Sequence, residues 1–311
     1  MANITASMVK ELREMSGAGM MDCKKALSAT DGDMDKAIDY LRENGQMKAQ
    51  KKAGRIAAEG ICYAVSSEDA KTACVVEVNT ETDFAAKNEK FQEFVHQVAE
   101  QAMGSDAADI DAFLKEGWKF EDGKTVEDAL VAQVAVISEN MKIRRFQKVE
   151  EPNGFVSVYT HMGGKIVVLI DVETDVVNDA VKEMAKNVAM QTAAMKPLYT
   201  SDAEVDQDYI AKEKEILFAA AKNEKPDAND KILNGIVMGR INKELKEICL
   251  LDQVYVKAED GKQSVQKYVD EVAKANSANI KIKGFVRFET GEGIEKKSED
   301  FAAEVAAQRK G

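Results

Sequence analysis

The chain has 311 residues, 45% of them hydrophobic and 32% charged, which gives length for two or three modules and apolar mass for a folded core. Acidic side chains outnumber basic ones 55 to 43, and the net charge of −12 argues against sequence-independent nucleic-acid binding, which needs a basic surface. Three prolines argue against low-complexity linkers. Met1 to Met15 carries Lys10, Glu11, Arg13 and Glu14 with no apolar signal region. The longest aliphatic run, Ile166 to Ile170, is far short of a membrane span. Cys23, Cys62, Cys74 and Cys249 show no CxxC spacing, and the two histidines, His96 and His161, lie far apart. The expectation is a cytoplasmic protein with reduced, mostly buried thiols and no zinc site.

In chain order, the first elements are three short helices. Thr5 caps a helix bearing Val9 and Leu12, which Ser16-Gly17-Ala18-Gly19 breaks. A second helix from about Met21 puts Cys23, Ala26 and Leu27 on one face, and Asp31-Gly32-Asp33 turns the chain. A third carries Met34, Ile38 and Leu41 at helical spacing and ends at Gly45. A module this small is marginal alone and leans on a neighbour or a partner. Residues 46–59 concentrate Lys48, Lys51, Lys52 and Arg55 with no acid before Glu59, so that residues 1–55 hold ten basic and eight acidic side chains. The basic run reads either as a solvated helical linker or as a face for an acidic partner.

The middle of the chain contains a repeat. Val76 to Asp83 resembles Val168 to Asp175. After a two-residue gap, Phe91, Glu93, Phe94, Val98, Ala99 and Gln101 match Val181, Glu183, Met184, Val188, Ala189 and Gln191. Each copy is preceded by an alternating stretch and a turn, Gly60 to Val65 and Gly154 to Tyr159, so each reads strand, turn, strand, helix. The fold class is α+β, with two related strand-strand-helix subdomains whose short sheets are backed by helices. They are expected at 56–150 and at 151–201 with 249–290. Between the two parts of the second, residues 202–248 read as an antiparallel helical hairpin, with Ile210, Leu217 and Phe218 on one arm and Ile232, Ile236, Ile241, Leu245 and Ile248 on the other. Ile280 to Phe288 alternates as a strand. A C-terminal helical module at 291–311 contains a helix starting near Ser298, with Phe301 and Val305 on one face.

Little of this suits catalysis. Gly17-Ala18-Gly19 follows a helix and lacks the third glycine of a dinucleotide loop, and Glu292 within Gly291-Glu292-Gly293 repels phosphate. GxxxxGK[ST], GxSxG and HExxH are absent. No catalytic residue, metal ligand or cofactor is expected, and the chain does not read as an enzyme. The features that remain suit binding. Met20-Met21 stands at a turn before a helix, one of the pair being expected in the core and the other at a partner surface. Asp83 is placed to cap a helix. Phe84, with Val176 as its counterpart, is either a core residue or a protruding anchor. His161 is expected in the turn beside Gly163-Gly164.

Leu12-Arg13 followed by Gly17-Ala18-Gly19-Met20-Met21-Asp22-Cys23-Lys24-Lys25-Ala26-Leu27 resembles the N-terminal signature of the bacterial elongation factor Ts family. Glu77-Val78-Asn79 with Thr82-Asp83-Phe84 is similar to its second signature, and Gly284 to Phe288 with Gly291 to Glu295 is similar to its C-terminal strand and module. The resemblance spans essentially the whole chain. It implies an N-terminal ubiquitin-associated-like three-helix module and a guanine-nucleotide exchange factor for elongation factor Tu, without direct nucleic-acid or membrane binding. It implies that Thr82, Asp83, Phe84 and Ala85 form the segment that dislodges magnesium from the partner, with Phe84 wedged between helices of the GTPase domain. It implies further contacts from Met20, Met21 and Lys24, from the region of His161 and from the C-terminal helix. The hairpin would reach a further face of the partner or, like the core, mediate a homodimer. Ala85 stands where the family commonly has valine. Residues 102–130, with Trp118, match none of these signatures. The alternative is a protein-binding scaffold or chaperone without exchange activity.

Overall fold

The computed structural model describes residues 4–295, so the helix expected from Ser298 lies outside the described residues. Three helices, α1 (Ala6–Ser16), α2 (Met20–Ala29) and α3 (Met34–Lys52), lead into β1 (Glu59–Ser66), β2 (Thr72–Thr80), a helical turn α4 (Asp83–Ala86), α5 (Glu89–Met103), α6 (Ile110–Leu114), α7 (Val126–Ile137) and β3 (Met141–Glu150). There follow β4 (Gly154–His161), β5 (Ile166–Thr174), α8 (Asp179–Met195), the hairpin helices α9 (Gln207–Glu224) and α10 (Asp230–Ile248), α11 (Val265–Ala275) and β6 (Ile280–Glu289).

Local chemistry sets the helical ends. The Thr5 side chain accepts from Met8 N–H, and Gly17 closes α1 in the left-handed region at φ 66°. Val9, Leu12, Cys23, Ala26, Leu27 and Ala37 meet in the module's own core. The third helix does not stop at Gly45 but runs on to Lys52. Gly45 is buried where α3 crosses α7, and a side chain there would stand 3.6 Å from Ala135 Cβ. Close helix approach thus overrides the weak helix propensity of glycine. Most of the basic run is therefore the last turns of α3, and the module rests on α7.

Strands β1-β2-β3 and β4-β5-β6 form two antiparallel three-stranded sheets. Each sheet carries a third strand beyond the expected strand-strand-helix unit. Alternation does not reveal β3, because Lys142, Arg144, Arg145 and Lys148 interrupt its apolar positions. The sheets pack face to face through small and branched side chains, Cys62, Ala73, Val75, Val156, Val167, Leu169 and Val286 among them. Helices α5 and α7 cover the outside of the first sheet, and α8 and α11 the outside of the second. The result is four layers, helix-sheet-sheet-helix. The 102–130 region belongs to the first outer layer, where Trp118 is buried against Phe94 with ring centroids 5.9 Å apart.

The two halves superpose in register at a β-bulge. It falls between Glu77 and Val78 in β2 and between Asp171 and Val172 in β5. Gly60 and Gly154 occupy matching sites, where a side chain would come within 2.1 Å of Val78 O and 2.0 Å of Val172 O. Glu77 therefore corresponds to Asp171, and the sequence match between the strands is slipped by two residues. A two-residue slip keeps every side chain on its face, so alternation cannot detect it. The following helices do align as expected, with Asn88 and Asn178 as their N-caps. Seven residues separate Thr80 from Asn88, and three separate Thr174 from Asn178. The extra four form α4, so Phe84 has no counterpart, and Val176 is not one.

These matching sites carry different charge chemistry. Glu77 is fully buried; its carboxylate accepts from Arg145 Nε at 2.6 Å, Gly291 N–H at 2.8 Å, Arg144 at 3.0 Å and Asn79 at 3.0 Å. Burial pushes the acid up, but these donors outweigh it and hold Glu77 below the usual carboxylate range. Arg145 also lies 4.1 Å over the Phe288 ring on the opposite sheet. Asp171 instead faces a second carboxyl, the fully buried Glu151, with Lys283 bonded to Glu151 at 2.7 Å. Burial first, then the Glu151 carboxyl, pushes Asp171 up to about 6, against the pull of Lys283 and with a smaller push from Glu173.

Glu77→Ala leaves Arg144 and Arg145 without their buried partner. It should lower unfolding free energy by about 3–5 kcal/mol, read as a shift in urea midpoint. Asp171 binds its proton more tightly folded than unfolded, so stability should fall as pH rises from about 4 through about 6. Asp171→Asn, whose amide donates to Glu151 without titrating, should raise stability at pH 7.5 by about 1 kcal/mol after allowance for partial exposure. It should also flatten the pH slope in denaturation followed from pH 4 to pH 8. An unchanged slope would assign the pH dependence to other groups.

Candidate functional site: an aromatic turn beside the three-helix module

The segment 81–86 follows the end of β2. Thr82 has extended backbone angles, φ −125° and ψ 157°, and its side chain accepts from Ala85 N–H at 3.2 Å. Thr82, not Asp83, is therefore the N-cap of α4. Asp83, already inside the turn, is left to pair with Lys87 at 2.7 Å, which holds its carboxyl below the usual range. Both partners are exposed. Ala85 and Ala86 are buried under the turn, which packs on β1 and β2. The geometry turns Phe84 outward, with 82% of its surface exposed, the most of the large hydrophobic residues described. A core role for Phe84 is thereby corrected. A turn of four residues has one buried face, which the two alanines occupy.

A second loop grips this turn. Ser138 ends α7 in the left-handed region at φ 65° and brings Glu139 and Asn140 against residues 80–82. The Glu139 carboxylate accepts from Thr82 N–H at 2.9 Å, Thr82 Oγ1 at 2.7 Å and Thr80 Oγ1 at 2.9 Å. Glu81 answers by accepting from Asn140 N–H at 2.6 Å. Asn140, buried, donates from Nδ2 to Arg55 O at 2.6 Å, and Arg55 lies 3.5 Å from Glu81. Sequence reasoning misses Glu139, Glu81 and Asn140. Glu139 and Asn140 stand 58 and 59 positions beyond Glu81, and only the pairing of β2 with β3 brings the two loops together.

The three-helix module reaches the same region. A side chain at Gly17 would stand 3.7 Å from Val136 Cγ2 and 3.8 Å from Lys90 Nζ, and Lys90 lies in the first turn of α5, just after the 82–86 segment. Lys48 on α3 bonds Asp22 on α2 at 2.8 Å. Met20 and Met21 are both exposed, at 58% and 64%, so neither packs in the module. The buried stripe of α2 begins at Cys23, one turn later. Lys24 is exposed on the same helix.

His161 is not in a turn. It is the last residue of β4, paired with Ile166, partly buried, and its Nδ1 lies 3.0 Å from Tyr159 Oη. The reversal is made by Met162, Gly163 and Gly164, all at positive φ, and puts Met162 at the exposed tip. Gly164 O accepts from Cys62 N–H at 2.8 Å, and a side chain at Gly164 would come within 2.5 Å of Ile61 and 2.7 Å of Cys62 O. The second half's hairpin thus rests on β1, the strand under α4, without a direct contact between His161 and Phe84 among those described. The helical hairpin α9–α10 has a core of Ala221, Leu233, Val237 and Ile241 and leaves Ile216, Ile232 and Met238 exposed. All four cysteines are buried free thiols. Among the described residues, no group of three or more histidine, cysteine or acidic side chains is arranged to hold a metal ion, and no helix is long and apolar enough to cross a membrane.

A family model described as "Elongation factor TS" matches residues 81–292, and one described as "UBA/TS-N domain" matches residues 4–41. The chain is 52% identical over 310 residues to "Elongation factor Ts" of Clostridioides difficile strain 630, with both chains covered in full. It is 51% identical over 306 residues to the protein of that name from Clostridium botulinum strain Eklund 17B, covering 98% of this chain and 99% of the other. It is 48% identical over 306 residues to that of Clostridium novyi strain NT, covering 98% of each. The expected fold class stands, with N-terminal helices followed by two helix-backed sheets. Spanning both models and the full length of these relatives, the chain belongs to the elongation factor Ts family of translation elongation factors.

Proposed function

We propose that this chain binds the GDP-bound form of elongation factor Tu and speeds release of GDP, using the 82–85 turn to disturb the partner's magnesium site. The observation that carries the reading is Phe84, a large aromatic held almost wholly in solvent on a capped turn. Exposed aromatics cost solvation, and fixed aromatics of this kind are typical anchors of an interface. The four residues that build the turn have no equivalent in the second half of the molecule, whose sheet and helix form without them.

An exchange factor makes and breaks no covalent bond. It binds the nucleotide-free partner more tightly than the GDP-bound one, and by linkage it weakens the partner's grip on GDP by the ratio in which GDP weakens the partner's grip on the factor. A ten-thousandfold faster release requires about 5.5 kcal/mol off the release barrier. Magnesium is held in near-ideal octahedral geometry, partly through phosphate oxygens and waters, so a small displacement of its ligands loosens it. Phe84 supplies an apolar wedge for that displacement, and Asp83 places a negative charge beside it. Met20, Met21 and Lys24, on the module packed against α7, add a second contact to the GTPase domain, and the His161–Met162 hairpin a third, directed at the phosphate-binding loop. The helical hairpin, with its exposed Ile216, Ile232 and Met238, serves a further face of the partner or a second copy of the chain.

The test is stopped-flow release of fluorescent GDP from purified elongation factor Tu. The unaltered chain should accelerate release strongly. Phe84→Ala should lower the saturating rate by about 100-fold while binding to nucleotide-free partner changes by less than about tenfold. Its melting temperature should stay within about 1 °C of the parent, because an exposed side chain contributes little to stability. Binding without acceleration would replace the exchange reading with a scaffold.

A further inference from the structure

We propose that Glu139 is a positioning residue for the exchange turn, a clamp that fixes the direction of Phe84 without touching the partner. The inference deepens the exchange reading and rests on it. A helical turn of four residues is below the length at which a helix holds itself together, since nucleation costs more than one or two hydrogen bonds return. α4 consequently needs an external brace, and Ala85 and Ala86 supply only its underside.

Glu139 supplies the rest. Its two oxygens take all the donors that Thr82 offers, the backbone N–H and the hydroxyl, and reach Thr80 as well. The Thr82 hydroxyl has one proton. By accepting it, Glu139 turns the oxygen's lone pairs toward Ala85 N–H, which is the capping bond of the turn. Hydrogen bonds to a charged acceptor are the stronger kind, and three on one carboxylate leave little freedom. The exchange is reciprocal, because Glu81 accepts from Asn140 N–H in the opposite direction. Asn140 in turn holds Arg55 O, just beyond α3. The 138–140 loop thus ties the Phe84 turn to the end of the helix that carries the three-helix module. Phe84 and the methionines of α2 are held to one another through it.

The test uses the full chain with Glu139→Ala, Glu139→Gln and Thr82→Val, each alone and with Phe84→Ala. Two readouts are taken: the saturating rate of GDP release with affinity for nucleotide-free partner, and amide hydrogen exchange at Thr82 and Ala85 in the free protein. Glu139→Ala should slow saturating release about tenfold with affinity changed by less than about twofold, the split expected of lost orientation. Glu139→Gln, which keeps an acceptor, should recover part of the rate. In the Phe84→Ala background Glu139→Ala should cost nothing more. Exchange at Thr82 and Ala85 should quicken about tenfold while core amides stay protected. Thr82→Val, which leaves Glu139 in place, should reproduce the rate loss if Glu139→Ala fails to fold. A release rate within about twofold of the parent for both Glu139→Ala and Thr82→Val, or an equal loss with Phe84 already removed, would overturn the proposal. If the unaltered chain fails to accelerate GDP release, the exchange reading falls. Unchanged amide exchange in Glu139→Ala would separately overturn the clamp.

Discussion

Two sheets of three strands have little surface each, and the whole molecule depends on their lying face to face. The layer between them is built of small and branched side chains, Cys62, Ala73, Val75, Val156, Val167 and Leu169, which lets the strands approach closely. The same closeness demands glycine at Gly164, where any side chain would collide with Ile61 and the Cys62 carbonyl. It also buries Glu77, whose charge survives only because Arg144, Arg145, Asn79 and Gly291 all serve it. Since Arg145 comes from β3 and Gly291 follows β6, this one carboxylate fastens the two halves together.

A scaffold fastened in this way can hold exposed side chains on rigid ground. The two halves share the bulge, the glycine opposite it and the asparagine that caps the following helix. They differ where the first half inserts α4, and that insertion carries the most exposed aromatic of the molecule. Repetition built the support and departure from repetition built the candidate site. The other exposed side chains of interest, Met20, Met21 and Met162, also stand on elements pinned to the first half, through α3 against α7 and through Gly164 against β1. In the proposed exchange reaction such rigidity matters, because a wedge that yields transmits no force to its partner.

Much of the fold was legible in the chain. Helical spacing revealed α1 and α2, alternation revealed β1, β2, β4, β5 and β6, and the repeat announced two related halves. The misses have local causes. Gly45 read as a helix end, but the packing of α3 on α7 carries the helix through it to Lys52. The strand β3 was hidden by cationic side chains whose partners, chiefly Glu77, lie on another strand. The strand register slipped by two because a period of two cannot report it. Phe84 could not be assigned to core or surface, since exposure depends on what lies under the turn.

The sequence by itself determined the elements that obey short-range rules: caps, turns, periodicity and the family signatures around Met20 and Phe84. Tertiary structure alone decided which faces remained open and which distant groups met. Glu139 and Thr82, Asn140 and Arg55, Glu151 and Asp171 are far apart along the chain, and no local pattern marks them as partners. Their meeting follows from strand pairing and sheet packing, which are settled by the burial of the whole core and not by any segment within it.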